Sequence, residues 1–338
     1  MTSGGAAEGF GHVARCAEVV QAARAHGARV AVSFAGDDAA RALLERGCGA
    51  PPVAIDPWGS RGIAPGEPAA VLVDTPRPVR RIVEEALRRG VPTVVLDRLD
   101  FLEEATLTVL PVAHGPRIRH PRLRQGPAWC ILPREVLAAG PPADPAARDA
   151  LLLTLGGADP GGQTAPLATW LAAELSRRAP ALASLERHAI VPASRLGDAA
   201  LQDALEEAGF RVHGPLSRPA FVGLAARCAV AVCGFGVATY ELARLGVPAL
   251  HRVHRSADAA AARRLEALGL GIYAGGAGER GPEPLARALE RAGDPAWLRR
   301  AALSGRSLLA PADGARRLAA LLLSHTLTPS TEEAPCRA

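Results

Sequence analysis

Short apolar runs alternate along the chain with stretches of helical period. "ARVAVSF" (28–34), "AAVLVD" (69–74) and "VPTVVLD" (91–97) are continuous runs that end near turn or acidic residues. That is the pattern of strands buried on both faces of a parallel sheet. Between the last two, Val79, Ile82, Val83, Ala86 and Leu87 recur at i, i+3, i+4, i+7 and i+8, which predicts one apolar helix face stopped at Gly90. The alternation resumes with "ALLLTLGG" (150–157), "HAIVPAS" (188–194), "FRVHGPL" (210–216), "CAVAVCGFG" (228–236) and "VPALHRV" (247–253). "GARRLAALLLSH" (314–325) predicts a closing amphipathic helix. The one clear interruption, "AAGPPADPAARD" (138–149), carries three prolines and no period, and reads as a linker.

This layout predicts an α/β protein of two Rossmann-like domains with mainly parallel sheets. One spans 1–140, the other 150–325, and 326–338 is expected to be a disordered tail. The length of 338 residues agrees with two cores, and 49% hydrophobic residues are enough to fill them. With only 4% aromatics those cores must be aliphatic, with Trp129 and Trp170 expected inside them. Ligands in such sheets sit beyond the carboxyl ends of the strands, so a cleft between the domains is the expected site.

Charge narrows the chemistry. The net +5 comes from arginines interleaved with acids and no lysine. Such a mixture reads as solvated surface rather than a nucleic-acid face. Without lysine, Schiff-base catalysis and a Walker-type phosphate lysine are both excluded. The six cysteines (16, 48, 130, 228, 233, 336) form no CxxC pair and are expected to be reduced. His114, His120, His188, His213 and His325 lack metal-ligand spacing, so no metal is expected and no cofactor is implied. No apolar run reaches the roughly 18 residues of a membrane span, and no signal peptide is read before residue 9. A cytoplasmic location is the expectation. Nothing in the sequence speaks to oligomeric state.

Three glycine-rich loops stand at predicted strand-to-helix junctions. The first, "GFGHVA" (9–14), matches G-x-G-x-x-A, with Asp37 or Asp38 at the distance of a ribose contact. It lacks its strand: "MTSGGAAE" holds no run of β-formers, so the first strand is expected to be missing, through a misplaced start or loss of the central strand. His12 would lie on the first helical turn, where the positive dipole end favours a neutral imidazole able to act as a base near pH 7. The second loop, "LTLGGADPGGQT" (153–164), brings paired Gly156 and Gly157 to the end of an aliphatic strand, where a ligand can approach the backbone. In the third, "VAVCGFGVATYELARLGVPAL" (230–250), a strand runs through Gly234, Phe235 and Gly236 into a helix carrying Thr239 and Glu241. Amides of 236–239 at that helix start would hold a diphosphate. Glu241, a turn further in, would repel phosphate but suits a ribose diol. A carboxylate behind a phosphate cradle points to nucleotide-sugar recognition rather than ATP hydrolysis.

The run G-x-G-H-x-x-R-C (Gly9, Gly11, His12, Arg15, Cys16), the run L-G-G-A-D-P (155–160) and the strand–G-x-G-x-x-T-x-E–helix–G-x-P run (234–248) occur in this order and spacing in one family. Over roughly residues 9 to 275 the chain resembles the family of the UDP-2,4-diacetamido-2,4,6-trideoxy-β-L-altropyranose hydrolase of pseudaminic acid biosynthesis and the predicted glycosyltransferases of spore-coat polysaccharide biosynthesis. "GPAWCILPREVL" (126–137), and the strands ending at Asp74 and Asp97, are also similar to that family. The third loop further resembles the UDP-N-acetylglucosamine transferase of peptidoglycan synthesis.

The resemblance implies a GT-B fold whose C-terminal domain holds UDP. Gly156, Gly157, Ala158, Gly234 and the amides of Phe235, Gly236, Val237, Ala238 and Thr239 would face the diphosphate. Glu241 would hold the ribose, and the backbone from Val212 to Leu216 the uracil. His12 would activate water at the anomeric carbon without a metal, and Gly11, Arg15, Asp74, Asp97, Leu216 and Asp258 become candidate substrate contacts. The chain departs from the family's hydrolases at Pro76, where they carry tyrosine, and at Ala238, where a hydroxyl residue is usual. It also departs at "HRVHRSAD" (251–258), where they carry Asn-Gln and this chain offers Ser256 and Asp258. Two enzymatic readings follow: a UDP-amino-sugar hydrolase, or a glycosyltransferase of polysaccharide biosynthesis with an acceptor in place of water. A nucleotide-sugar-binding protein without activity, and an NAD enzyme built on the first loop, are the readings of other classes.

Overall fold

The computed structural model describes residues 1–6, 8–57, 68–116, 118–140, 143–159, 161–276 and 282–324. The chain divides into two compact units, Met1–Ile131 with Ala312–Ala338, and Leu132–Pro311. The expected tail at 326–338 lies outside the described residues.

In the first unit the order is β1 (Thr2–Gly4), α1 (Gly11–Ala25), β2 (Ala31–Gly36), α2 (Asp38–Cys48), β3 (Ala54–Pro57), β4 (Val71–Val73), α3 (Arg80–Arg88), β5 (Thr93–Leu96), β6 (Leu107–Leu110) and β7 (Leu123–Gln125). A strand therefore does precede the first glycine loop, against the sequence expectation. β1 pairs in parallel with β2, Thr2 opposite Phe34 and Gly4 opposite Gly36. On its other side the Asp74 amide donates to the Met1 carbonyl at 2.9 Å, beside a Thr2–Asp74 bridge. β1 thus lies between β2 and β4, and the strand order becomes β3-β2-β1-β4-β5-β6-β7, all parallel.

"TSG" escapes propensity rules because close approach, not side-chain packing, selects its residues. A Cβ on Gly4 would stand 2.6 Å from Val13 Cγ2, and one on Gly36 only 2.0 Å from the Gly4 carbonyl oxygen. Gly4 carries no side chain because α1 leaves no room for one, and Gly36 none because β1 lies against it.

The second unit runs α4 (Arg134–Ala138), β8 (Ala150–Thr154), α5 (Thr164–Arg178), β9 (Glu186–Ile190), α6 (Ala199–Glu207), β10 (Phe210–His213), α7 (Arg218–Arg227), β11 (Cys228–Gly234), α8 (Val237–Arg244), β12 (Ala249–Val253), α9 (Ala259–Ala267), β13 (Ile272–Gly276), α10 (Glu283–Ala292) and α11 (Pro295–Leu308). Its six strands are parallel in the order β10-β9-β8-β11-β12-β13. Every residue of β8 and β11 is buried, as their unbroken apolar runs require. Leu151, Leu153, Val230 and Val232 pack on Leu171 and Leu175 of α5 and Leu289 of α10.

Two boundaries differ from those expected. The units part at Ile131/Leu132, and the proline-rich stretch falls in the second unit. There Arg148 donates to the carbonyls of Ala143 and Cys228, and Arg299 pairs with Asp144 at 2.8 Å. The closing helix, α12 (Gly314–Leu323), returns to the first unit, not the second. Its Leu318 packs with Val19, Leu96 and Trp129, and its Ala319 with Ala22 and Ala23 of α1. The Gly314 amide donates to the Cys130 carbonyl at 3.0 Å, and a Cβ at Gly314 would stand 2.2 Å from the Trp129 oxygen. Among the described residues no helix is long and apolar enough to cross a membrane.

Candidate functional site

In the first unit the opening glycine loop closes on itself. The Gly5 and Gly9 amides donate to each other's carbonyls at 3.0 and 2.8 Å, with Gly9 at φ +82°. The turn delivers the chain from β1 into α1, with Gly11 its first residue and His12 its second. His12 is partly exposed, at 21% of its side chain, and its Nδ1 lies 2.6 Å from Asp74 Oδ1. Because a carboxylate only accepts, that contact has Nδ1–H donating, so Arg15 Nη2, itself a donor and 2.9 Å from the same nitrogen, is a neighbour of Nδ1 and not a hydrogen-bond partner. Nε2 makes no protein hydrogen bond among the described residues.

Asp74 stands just past the carboxyl end of β4 and is fully buried. Arg15, one helical turn beyond His12, reaches it through Nε at 3.2 Å and Nη2 at 2.7 Å, and reaches Asp97 through Nη1 at 3.2 Å. Burial alone would raise the pKa of Asp74. The Arg15 charge and the hydrogen bonds from His12 and Arg15 prevail and hold it below the usual carboxylate range. Burial pulls the Arg15 pKa down, but Asp74 and Asp97 outweigh it and raise it.

Asp74 and Arg15, expected as substrate contacts, are thus spent on each other and on orienting His12. The helix dipole was the effect that the sequence offered for this histidine; the structure adds the carboxylate. Asp97 remains partly exposed, at 39%, in a left-handed conformation (φ +61°) at the end of β5.

In the second unit β8 ends in a turn. Gly156 takes φ +88°, and Gly157 and Ala158 are exposed and half-buried. Asp159 folds this turn, accepting from the Gln163 amide at 2.9 Å and from the Thr164 amide and hydroxyl at 3.1 and 2.6 Å. Pro160 lies outside the described residues.

The third loop divides its work differently from expectation. Gly234 is buried for packing, not for a ligand: a Cβ there would meet the Leu155 oxygen at 2.6 Å and His254 Nε2 at 2.8 Å. The Phe235 amide is taken by the Arg252 carbonyl at 2.7 Å, and its ring packs against the cluster of Val253, Ala262 and Tyr273. The Gly236 amide donates to Thr239 Oγ1 at 3.3 Å, so Thr239, 1% exposed, caps its own helix. The Thr239 amide returns to the Gly236 carbonyl at 3.1 Å. Val237 and Ala238 are left, both half-buried, as first-turn amides with no acceptor inside the helix.

Glu241, 5% exposed, sits one turn behind them. Its Oε1 accepts from Arg218 Nη1 at 2.8 Å, a partner that the sequence reading did not single out. Arg218 opens α7, capped by Ser217, and nothing in a linear pattern joins it to a residue 23 positions away. Leu216 is half-buried in the turn just before. Asp258 pairs with Arg255 at 2.9 Å at the foot of α9. His254 donates to the Leu155 carbonyl at 2.8 Å, tying the β8 turn to the end of β12.

Two cavities lie elsewhere. One of about 230 Å³ is framed by Gly4, Gly5, Glu8, Gly36, Asp37 and Arg77 at the carboxyl ends of β1 and β2. Another, of about 570 Å³, lies between α9, β13 and α10 and includes Arg263, Tyr273 and Arg287 but no expected nucleotide residue. Among the described residues no group of three or more His, Cys, Asp or Glu could hold a metal.

The two parallel sheets, each with its strand-to-helix loops at the carboxyl ends, are matched closely by solved structures. MurG of Acinetobacter baumannii aligns over 95% of this chain and 98% of its own, with a TM-score of 0.63 and 13% identity. The fold is GT-B. A Staphylococcus aureus MnaA–UDP co-structure aligns over 100% of this chain and 99% of its own (TM-score 0.60, 13% identity), and the glycotransferase of kitacinnamycin over 96% and 98% (0.59, 18%). No family model matches the chain, and no curated protein sequence does. The β11–α8 and β8–α5 junctions are strand-to-helix turns of the C-terminal unit, and His12 stands at the β1–α1 strand-to-helix turn of the N-terminal one.

Proposed function

We propose that the protein is an enzyme of UDP-linked sugars, most specifically a UDP-amino-sugar hydrolase. The observation that carries this reading is the buried Glu241 carboxylate one turn behind the unpaired first-turn amides of α8. Those amides and the helix dipole favour a diphosphate, and a carboxylate at that depth accepts from a ribose diol. The GT-B neighbours include an MnaA–UDP co-structure, a UDP-N-acetylglucosamine 2-epimerase and a glycotransferase, which supports the substrate class.

In the hydrolytic reading His12 Nε2 accepts the proton of a water whose oxygen bonds to the anomeric carbon. The bond from that carbon to the diphosphate oxygen breaks, and UDP leaves with the electron pair. Asp74 holds the imidazole with Nδ1 protonated, so that Nε2 is the basic atom. The second reading, a transferase, keeps the same loops and replaces water with an acceptor hydroxyl, as the glycotransferase neighbour suggests.

The test is incubation with UDP-N-acetylglucosamine and related UDP-amino sugars in the absence of acceptor, with UDP release measured. Steady turnover supports the hydrolase, and turnover only after an acceptor extract is added supports the transferase. His12→Ala is expected to slow release by about 10²-fold or more while leaving the UDP-induced rise in melting temperature intact. Equal release by wild type and variant rejects the base.

A further inference from the structure

A lone carboxylate behind a diphosphate cradle is electrostatically awkward. It aids the ribose and opposes the phosphates. The structure supplies a counter-charge at that point. Arg218 Nη1 lies 2.8 Å from Glu241 Oε1, and the two side chains come from different helices, Arg218 from the first position of α7 and Glu241 from one turn into α8. Glu241 is 6% exposed by side chain, whereas Arg218 is 35% exposed, so the guanidinium forms the solvent side of the pair. Its other nitrogens have no acceptor among the described residues. A guanidinium carries five N–H donors, so binding one carboxylate oxygen leaves donors for a ligand.

We infer that Arg218 is a nucleotide-binding residue that neutralises Glu241 and makes this crevice select a nucleoside diphosphate over the neutral nucleoside. The inference rests on the proposed nucleotide reading of the β11–α8 loop. With Arg218 in place, Glu241 can accept from the ribose hydroxyls without presenting uncompensated negative charge to the phosphates, because its charge is balanced locally. The free N–H groups of Arg218 then add a positive edge for the anion. The charge on Glu241 is thereby tolerated, and nothing in the loop itself, which holds neither lysine nor arginine from 228 to 243, could do this.

Isothermal titration of UDP and of uridine into wild type, Arg218→Met, Arg218→Lys, Glu241→Gln and the Arg218→Met/Glu241→Gln double variant tests it. Arg218→Met should weaken UDP about 10- to 100-fold and uridine less than about threefold, and Arg218→Lys should keep most of the UDP affinity. In the Glu241→Gln background, where no carboxylate charge remains, the Arg218→Met penalty on UDP should shrink to within about fivefold. Circular dichroism and melting temperature of each variant separate lost binding from lost folding. An Arg218→Met variant that weakens UDP and uridine equally, or whose penalty is the same in both backgrounds, overturns the inference while leaving the nucleotide reading in place. A wild-type protein that binds no UDP overturns that reading, and the inference with it.

Discussion

Arg15 is the residue on which the first unit's polar centre depends. It is 9% exposed by side chain and donates to Asp74, itself inaccessible, and to Asp97. Replacing it with methionine keeps the packing of the stem and removes the charge. Asp74 then stays buried with only His12 as a side-chain partner. Removing one member of a buried ion pair costs about 3–5 kcal/mol. For a body of this size a kilocalorie moves the melting point by about 2–4 °C, so Arg15→Met should lower it by about 6–20 °C.

The pH dependence should also change sign. In the wild type the Asp74 pKa is lowered, so its contribution to stability is present above the ordinary carboxylate pKa and is lost only as pH falls through the native value. In the variant burial is no longer opposed by Arg15, the native pKa rises above the unfolded one, and protonation on acidification relieves the buried charge. Relative to wild type, the variant should therefore gain stability between pH 7 and about pH 4.5. Differential scanning calorimetry of wild type and variant across this pH range measures this. A melting point within about 2 °C of wild type at pH 7, or an unchanged pH slope, refutes the reasoning.

Gly36→Ala should destabilise the first unit by several kcal/mol, because its Cβ would overlap the Gly4 carbonyl at 2.0 Å and push β1 from β2; a melting point equal to wild type would mean that β1 is not seated there. His251 is fully buried, its Nε2 2.6 Å from the Leu270 carbonyl, and burial lowers its pKa to about 4. Because the unfolded imidazole takes up its proton first, stability should fall by about 3 kcal/mol as pH drops from 6.5 to 4. Urea titrations in which His251→Asn shows as steep a pH dependence as wild type would disprove it.

Much of the architecture was legible because buried parallel strands must be apolar on both faces. β4, β5, β8, β11 and β12 all fall within the runs that the hydrophobic pattern marked, and the glycine loops at their ends stood out for the same reason. β3, β7 and β13 were not singled out, since short edge or mixed segments such as "AIDP" and "LRQ" carry little periodic signal. β6, "LTVL", is an interior and fully buried strand that was not singled out either, four residues being too short a run to mark it. His12, Glu241 and the loop glycines were readable as residue types in a spacing.

Their partners were not. Asp74 lies 62 positions from His12, Arg15 59 from Asp74, and Arg218 23 from Glu241; each pair meets only because strand ends and helix starts converge. Likewise only tertiary contact decides that "TSG" is a central strand, that the last helix returns to pack on α1, that the Phe235 amide goes to β12, and that Gly236 and Thr239 spend their polar groups on each other. Periodicity records which side of an element is buried, and so the sequence alone specified two layered α/β units with chemistry at their loops. Which groups are left unsatisfied there depends on distances across the fold, and those exist only once the strands are side by side.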